Sequence, residues 1–392
     1  EVVCGVSSCA SFVPFQESEI GIGTRRKASS ASCASARCPS VVVIMGVILS
    51  RRVLRHQVDI PHRRRRALLN KCALGQVLFR GAKPESVAEF LERAPLTTYA
   101  DYAPYLLEQV EDVLPAKPHL WQRTSGRSSE YPFKWVPVSQ RVYQEMGAIG
   151  LAIVLLATCK ERGHVAVEEH DKLLYGMAPP PYTSGTWGRR AEAEHLLDFL
   201  PPLREAERMA FEERIKEGFE LALQEGLDIF YGLSSVLVAV GEQFSQRTGN
   251  TGTLRLLRNP KAFLRMARAL VKSKLARRQV LPKDLWTVKG LVSAGSDASI
   301  YREKIKKMWG RYPLHVYGAT ESVVVAVQTW DFQDMTFIPN FNFLEFIPER
   351  EYFRSKFDPS YEPKTVLLDE VKPGETYELV ITNFLGGPFV RY

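Results

Sequence analysis

Cysteine is scarce in most of this chain. Of the six cysteines, Cys4, Cys9, Cys33, Cys38 and Cys72 fall within the first 75 residues, and only Cys159 lies beyond them, inside an apolar run. The body therefore has no disulfide framework and reads as a protein of a reducing, cytoplasmic compartment. The pairs Cys4/Cys9 and Cys33/Cys38 are spaced too loosely for a structural zinc site. Excess charge is also missing from the body. The net charge is +8, yet residues 1–75 alone hold twelve Lys and Arg against four acids, and the other 317 residues hold 40 of each sign. A balanced body excludes the basic footprint of a nucleic-acid-binding module. Long hydrophobic runs are absent too. The run Val41–Leu49 spans nine residues, too few to cross a bilayer, and Arg51-Arg52 behind it is unlike a signal peptide. His119, His164, His170, His195 and His315 show no metal-ligand spacing.

The first 75 residues differ from the rest. Gly21–Pro39 is rich in Ser, Ala, Cys and Arg without a hydrophobic period, and His62–Arg66 is a basic run. This composition cannot bury enough apolar area to fold. Residues 1–75 are expected to be a disordered or artefactual leader, with a basic arm for nucleic acid or a membrane surface as the second option. Residues 76–392 are expected to be the folded domain.

What is present is concentrated in three blocks. Val316-Tyr-Gly-Ala-Thr-Glu321 follows a strand-like Pro313–Val316 and precedes the β-prone run Ser322–Gln328. It sets an aromatic ring (Tyr317), flexible backbone (Gly318, Ala319), a hydroxyl (Thr320) and a carboxylate (Glu321) at the mouth of a strand. Those groups suit a purine face, a phosphate donor and an oxygen ligand for Mg2+. Roughly 190 residues upstream, Arg123-Thr-Ser-Gly-Arg-Ser-Ser129 is followed by Lys134. Hydroxyls and backbone on a loop (Thr124, Ser125, Gly126, Ser128, Ser129) with an ammonium close behind are what a triphosphate tail requires. A second loop, Thr183-Ser-Gly-Thr186 with Arg189-Arg190, lies in a Pro-rich stretch and is the weaker candidate. The third block, Asp369–Tyr392, reads as turn, strand (Tyr377–Thr382), Gly-Gly turn and a strand entering Arg391-Tyr392.

Periodicity predicts helices over Glu85–Arg93, Ser139–Cys159, Pro202–Glu225, Pro260–Leu275 and Ala298–Trp309, and a helical region over Thr97–Leu114. The basic residues of Pro260–Leu275 read as a solvated helix face. Strands are predicted within Val165–Leu174 and over Val288–Ala294, Val323–Gln328, Met335–Ile338, Phe343–Ile347 and Tyr377–Thr382. The order strand, Gly295 turn, helix, strand, Tyr317-Gly318 makes a βαβ unit whose nucleotide would lie at the carboxyl ends of the strands. Gly295 and Ser296-Asp297 serve equally as a nucleotide-side turn or as a helix N-cap. Glu345 falls in an apolar strand, either exposed at an edge or facing the cleft.

The three blocks in this order resemble the auxin-responsive promoter family of acyl acid amido synthetases, within the adenylate-forming superfamily. The stretches Pro95–Tyr102, Phe133–Val138 and Phe337–Pro348 add to the likeness, which covers roughly residues 76–392. The fold implied is α/β: the large N-terminal domain of an adenylate-forming enzyme, mixed sheets flanked by helices, with a β-rich end. The resemblance implies ATP and Mg2+ as cofactors, a small carboxylic acid and an amine or amino acid as substrates, and no nucleic acid or membrane span. It implies that Tyr317 stacks on adenine above Gly295, that Thr320 contacts the α-phosphate and the acyl carboxylate, and that Glu321 binds Mg2+. It makes Lys134, Thr320 and Glu321 catalytic and gives nucleotide contacts to Thr124, Ser125, Gly126, Ser128, Ser129, Gly318 and Ala319. The loop departs from the family, with Arg127 after the glycine and Glu130-Tyr131 where a further glycine is usual. The family continues past Arg391-Tyr392 with a ribose-binding Asp and a lid domain, so this chain is expected to be a large domain without its lid. The runner-up readings are thioester formation, as in acyl-CoA ligases, and a catalytically inactive nucleotide-binding or scaffold protein.

Overall fold

Hydrophobic alternation along the central strands decides the architecture, because successive side chains of a strand point to opposite faces. A computed structural model describes residues 86–125, 131–246, 259–295, 299–338 and 341–392, and the expected leader lies outside them. Strands β1 (Pro118–Arg123) and β2 (Trp135–Ser139) form an antiparallel hairpin. β3 (Asp171–Gly176), β4 (Leu197–Leu200), β5 (Ile229–Leu233), β6 (Gly290–Ala294), β7 (Leu314–Tyr317), β8 (Ala326–Gln328) and β9 (Met335–Phe337) build one sheet in the order β4-β3-β5-β6-β7-β8-β9. The pairs from β4 to β7 are parallel, and β8 and β9 continue antiparallel. β10 (Asn342–Pro348) and β11 (Tyr377–Asn383) form a second hairpin, with Asn342 opposite Asn383.

Two apolar layers cover the sheet. Leu173, Tyr175, Ile229, Tyr231, Val292 and Leu314 pack with α3 (Gln140–Thr158) and α4 (Thr183–Glu192) on one face. Leu174, Phe230 and Leu291 alternate to the other face. There they meet α6 (Phe211–Glu225), α7 (Ser234–Gln246), α8 (Pro260–Leu275), α9 (Pro282–Leu285) and α10 (Arg302–Trp309). The short helices α1 (Val87–Arg93), α2 (Ala103–Leu106), α5 (Leu203–Ala206) and α11 (Glu349–Phe357) complete the described fold. α3 is long and apolar enough to cross a bilayer, but most of it is buried as the core helix. Its close approach to α4 needs Gly150, where a Cβ would overlap the Trp187 indole.

The predicted helices over 139–159 and 260–275 and the strands of the βαβ unit are found close to the predicted places. Thr183–Glu192 is helix, not the expected loop. The single helix expected over 202–225 is two, because Leu203 packs on the first face and Phe219 and Ala222 on the second. The chain crosses between faces at 207–210 and cannot stay helical.

Glu345 matches neither expectation. It is fully buried, and its Oε2 accepts from Arg391 Nε at 2.9 Å and from Thr365 Oγ1 at 2.8 Å. Arg391, itself buried, also donates from Nη1 to the Leu91 and Ala94 carbonyls and from Nη2 to Thr365 Oγ1. This ties α1 to the β10–β11 hairpin. A buried charge left without its partner is costly. Arg391→Met is therefore expected to lower unfolding free energy by about 3–5 kcal/mol, and adding Glu345→Leu to recover much of it. Urea unfolding of the single and double variants checks this, and a single-variant loss below about 1 kcal/mol would contradict it.

His315 on β7 is buried, and desolvation, with the Arg302 charge second, lowers its pKa to about 4. In the unfolded chain it titrates near 6.5. Between those values the unfolded state holds more protons, so stability falls as pH drops from 6.5 to 4, by about 3 kcal/mol in total from this group. His315→Gln should flatten the pH dependence of Tm across that window. A variant whose pH slope matches the wild type would refute it.

Candidate active site

The parallel strands all point their carboxyl ends to one edge, where Gly176, Gly232 and Ser293 lie in register and Ala294 opposes Val316. Loops leaving that edge gather the polar groups of an open α/β sheet. Gly295 leaves β6 with φ of 123°, a conformation that glycine accepts readily. Tyr317 ends β7 with its ring 42% exposed, available as a flat face.

The turn after Tyr317 is tightly built. A Cβ at Gly318 would come within 2.2 Å of the Val323 carbonyl oxygen, so no larger residue fits there. Ala319 N donates to Ser322 Oγ at 3.0 Å, and Ser322 N to the Ala319 carbonyl at 3.2 Å. Val323 is held at φ of 65°, a strained left-handed position for a β-branched residue. Strain of this kind persists only where surrounding contacts impose it. Asn342 Nδ2 donates to the Ser322 carbonyl at 2.8 Å, and Asn383 Nδ2 to the Glu321 carbonyl at 3.1 Å. The two asparagines also bond each other at 2.7 Å, so the β10–β11 hairpin holds the turn from below.

Glu321 and Lys134 are 187 residues apart in sequence and adjacent in space. Lys134 Nζ donates to Glu321 Oε1 at 3.2 Å and to the Tyr392 hydroxyl at 2.7 Å, and that hydroxyl lies 3.0 Å from the same Oε1. Both charged side chains are mostly buried, 16% and 9% exposed for Lys134 and Glu321. The ammonium also sits 5.0 Å from the Tyr99 ring centre and 5.5 Å from that of Tyr392, within cation–π range. Burial, then the Glu321 charge, pushes the Tyr392 phenol far above its usual range. Burial pushes Tyr99 up to about 12. Tyr392 therefore stays protonated and donates to the carboxylate.

Thr124 lies at the end of β1. Its Oγ1 accepts from Lys134 N at 2.9 Å, and its own N donates to the Lys134 carbonyl at 3.0 Å. The loop candidate and Lys134 thus start from one hairpin. Ser125 follows, exposed; Gly126, Ser128 and Ser129 lie outside the described residues. Thr320 is half-buried beside Glu321. The competing Thr183-Ser-Gly-Thr186 segment forms the first turn of α4. There Thr183 Oγ1 donates to Gln122 Oε1 and Ser184 Oγ to the Ala178 carbonyl, so its hydroxyls hold structure. Arg189 and Arg190 are paired with Glu207 and Glu194. Sequence reasoning missed Tyr392, Tyr99 and the Asn342–Asn383 pair. Tyr392 was visible only as an aromatic at a strand end, and no local pattern singles out the others.

The model of the GH3 family central domain matches residues 335–392. Among solved structures, 2-hydroxyisobutyryl-CoA ligase in an open conformation with 2-HIB-AMP and CoA superposes with a TM-score of 0.57 at 12% identity, covering 85% of this chain and 61% of that one. The same ligase in the postadenylation state with 2-HIB-AMP gives 0.52 at 14% identity, covering 82% and 58%. This chain spans about three-fifths of the ligase's length. The fold is that of adenylate-forming ligases, a mixed sheet flanked by helices.

Tyr392→Phe keeps the ring packed on Phe389, 4.6 Å between centres, and removes the hydroxyl that bridges the two charges. A loss of about 1–2 kcal/mol in unfolding free energy is expected. In a double-mutant cycle with Lys134→Met the two effects should be non-additive by about 1 kcal/mol. Strict additivity would show that the three groups do not act as a unit.

Proposed function

We propose that this chain is the large domain of an acyl acid amido synthetase of the GH3 family. Its reaction would activate a small carboxylic acid with ATP as an acyl adenylate and then join the acyl group to an amine or amino acid. The observation that carries this reading is the buried contact between Lys134, just behind the candidate phosphate loop, and Glu321 of the strand-end motif. Two segments singled out separately for phosphate chemistry share one cluster at the carboxyl edge of the sheet. The GH3 central-domain match at 335–392 supports the family, and the ligase fold supports adenylation.

Glu321 suits Mg2+ in a limited way. Among the described residues no three His, Cys, Asp or Glu side chains form a metal-ligating group. One carboxylate with nucleotide oxygens is an ordinary Mg2+ arrangement. Both hydrogen bonds to Glu321 fall on Oε1. Bound there with ATP, Mg2+ would neutralise phosphate charge as pyrophosphate leaves. The residues of this chain do the rest. Tyr317 offers adenine its exposed ring, and the Gly295 backbone leaves room beside it. Thr320 donates to an α-phosphate or carboxylate oxygen. Thr124 and Ser125, with the loop through Gly126, Ser128 and Ser129, face the phosphate tail, and Lys134 supplies the cation. The acid's oxygen attacks the α-phosphorus; the amine nitrogen then attacks the acyl carbon and AMP departs. Positioning and charge stabilisation carry the rate. Thioester formation remains a second reading, because the solved ligase with this fold was captured with CoA.

Calorimetric titration of ATP tests the site. Glu321→Gln is expected to weaken binding about tenfold or more in Mg2+ and hardly at all without it. Equal binding by the two proteins in Mg2+ would remove the site assignment. Acid-dependent exchange of pyrophosphate into ATP tests adenylation. Mass analysis of reactions supplied with mixed amino acids or with CoA then distinguishes amide from thioester, and a thioester alone would overturn the amide reading.

A further inference from the structure

Helix α8 presents an uncovered apolar face. Asn259 caps it, its Oδ1 accepting from Lys261 N and Ala262 N, and Pro260 opens the first turn. Ala262, Ala269 and Ser273 face inward and are buried. Arg265 reaches over α6, donating to the Ala222 and Leu223 carbonyls at its carboxyl end. The outward side should be polar in a helix that only covers a sheet. It is not. Phe263, Leu264, Leu270, Val271 and Leu275 are 48%, 51%, 37%, 58% and 81% exposed. At 100° per residue these five side chains fall within one sector of about 140°. Half of the exposed large apolar side chains among the described residues are on this helix.

Charge borders that sector on one side. Lys261, Arg268 and Lys272 follow its edge, Lys274 projects within it, and Arg277 stands just past the helix end; all are exposed. No Asp or Glu occurs from Asn259 to Lys283. Arg278 is spent on Asp284, at 2.6 and 2.8 Å.

We propose that α8 is a docking face for an anionic lipid surface, lying in the plane of the interface with its apolar sector inserted among the acyl chains and its cations on the headgroups. An apolar sector edged by Lys and Arg is the pattern of interfacial helices. The charge also argues against a second copy of this chain. A two-fold contact through α8 would bring two all-cationic helices together, with no acids to offset the repulsion. A partner that wraps a basic helix is excluded by the inward face, which is already packed on α6. Nucleic acid would leave the apolar sector without a use. This face is separate from the carboxyl edge of the sheet and does not depend on the proposed chemistry.

Co-sedimentation of the full 392-residue chain with vesicles tests it. Vesicles of phosphatidylcholine with phosphatidylserine should carry the protein down, and phosphatidylcholine alone should not. Binding should weaken as salt rises. Val271→Asp with Leu275→Asp should abolish it, and Lys272→Gln with Lys274→Gln should weaken it about fivefold per charge removed. All these side chains are exposed, so Tm should stay unchanged, which thermal unfolding confirms. Three results would each overturn the proposal: no binding to phosphatidylserine vesicles, binding that survives both pairs of substitutions, or a dimer in sedimentation velocity that Leu275→Asp disperses.

Discussion

The buried pair of Glu345 and Arg391 is the constraint on which the candidate site depends. Neither charge has access to water, so each requires the other. Satisfying Arg391 fixes more than one ion pair. Its remaining donors fall on the carbonyls that end α1, and its backbone N donates to Thr382 Oγ1 at 2.8 Å. The neighbouring carbonyl, Val390 O, accepts from Thr97 Oγ1, and Tyr392 exchanges backbone bonds with Ile381 at 2.8 Å each way. Residue 391 can hold this position only at φ of 45°. With residue 391 so fixed, Tyr392 can turn only one way, onto Lys134 and Glu321. Structural clamp and candidate site are thus consecutive residues of one strand end.

The cluster itself is a poised arrangement. A mostly buried ammonium and carboxylate neutralise each other, and a phenol that stays protonated satisfies both. Such a triad is stable without ligand, and the same groups suit a triphosphate. The ammonium has the sign to follow phosphate, and the carboxylate the sign to take a cation that arrives with it. The cost of parting them is reduced because the incoming charges replace each partner. The turn that carries Glu321 cannot drift during such an exchange. Gly318 is pressed on the Val323 carbonyl, Val323 is strained, and two asparagines from another hairpin grip the carbonyls of Glu321 and Ser322. Only the side chain is free to respond.

The features legible in the sequence were those set by local pattern. Alternation gave β5, β6 and β7; a 3.6-residue period and an Asn-Pro start gave α8; a strand followed by Tyr-Gly-x-Thr-Glu located the end of β7. Illegible features were set by partners distant in sequence. The helix at Thr183–Glu192 begins in a Gly- and Pro-rich stretch, and only the Gly150 gap in α3 explains how Trp187 packs. Glu345 looked like an edge or cleft acid because its cation comes 46 residues later. Tyr392 had no motif at all. Lys134 and Glu321 were each picked out for phosphate chemistry, but nothing in the linear sequence joined them. The phosphate-loop assignment from Gly126 to Ser129 rests on the sequence alone.

The two faces of the sheet carry different burdens, which explains why one can tolerate an exposed apolar helix. On the first face, α3 and α4 pack against the strands and the β1–β2 hairpin, so changes there would move Thr124 and Lys134. On the second face, the stacked Trp286 and Trp309, 6.0 Å between centres, and Phe219 and Phe230 seal the sheet beneath α6 to α10. α8 adds only small residues to that seal, Ala262, Ala269 and Ser273. Its outer sector therefore contributes little to folding, and in a helix kept only for cover, exposed Phe, Leu and Val would bring a risk of aggregation with no gain in stability. A surface requirement outside the fold accounts for them, and the bordering lysines and arginines indicate the sign of what they meet.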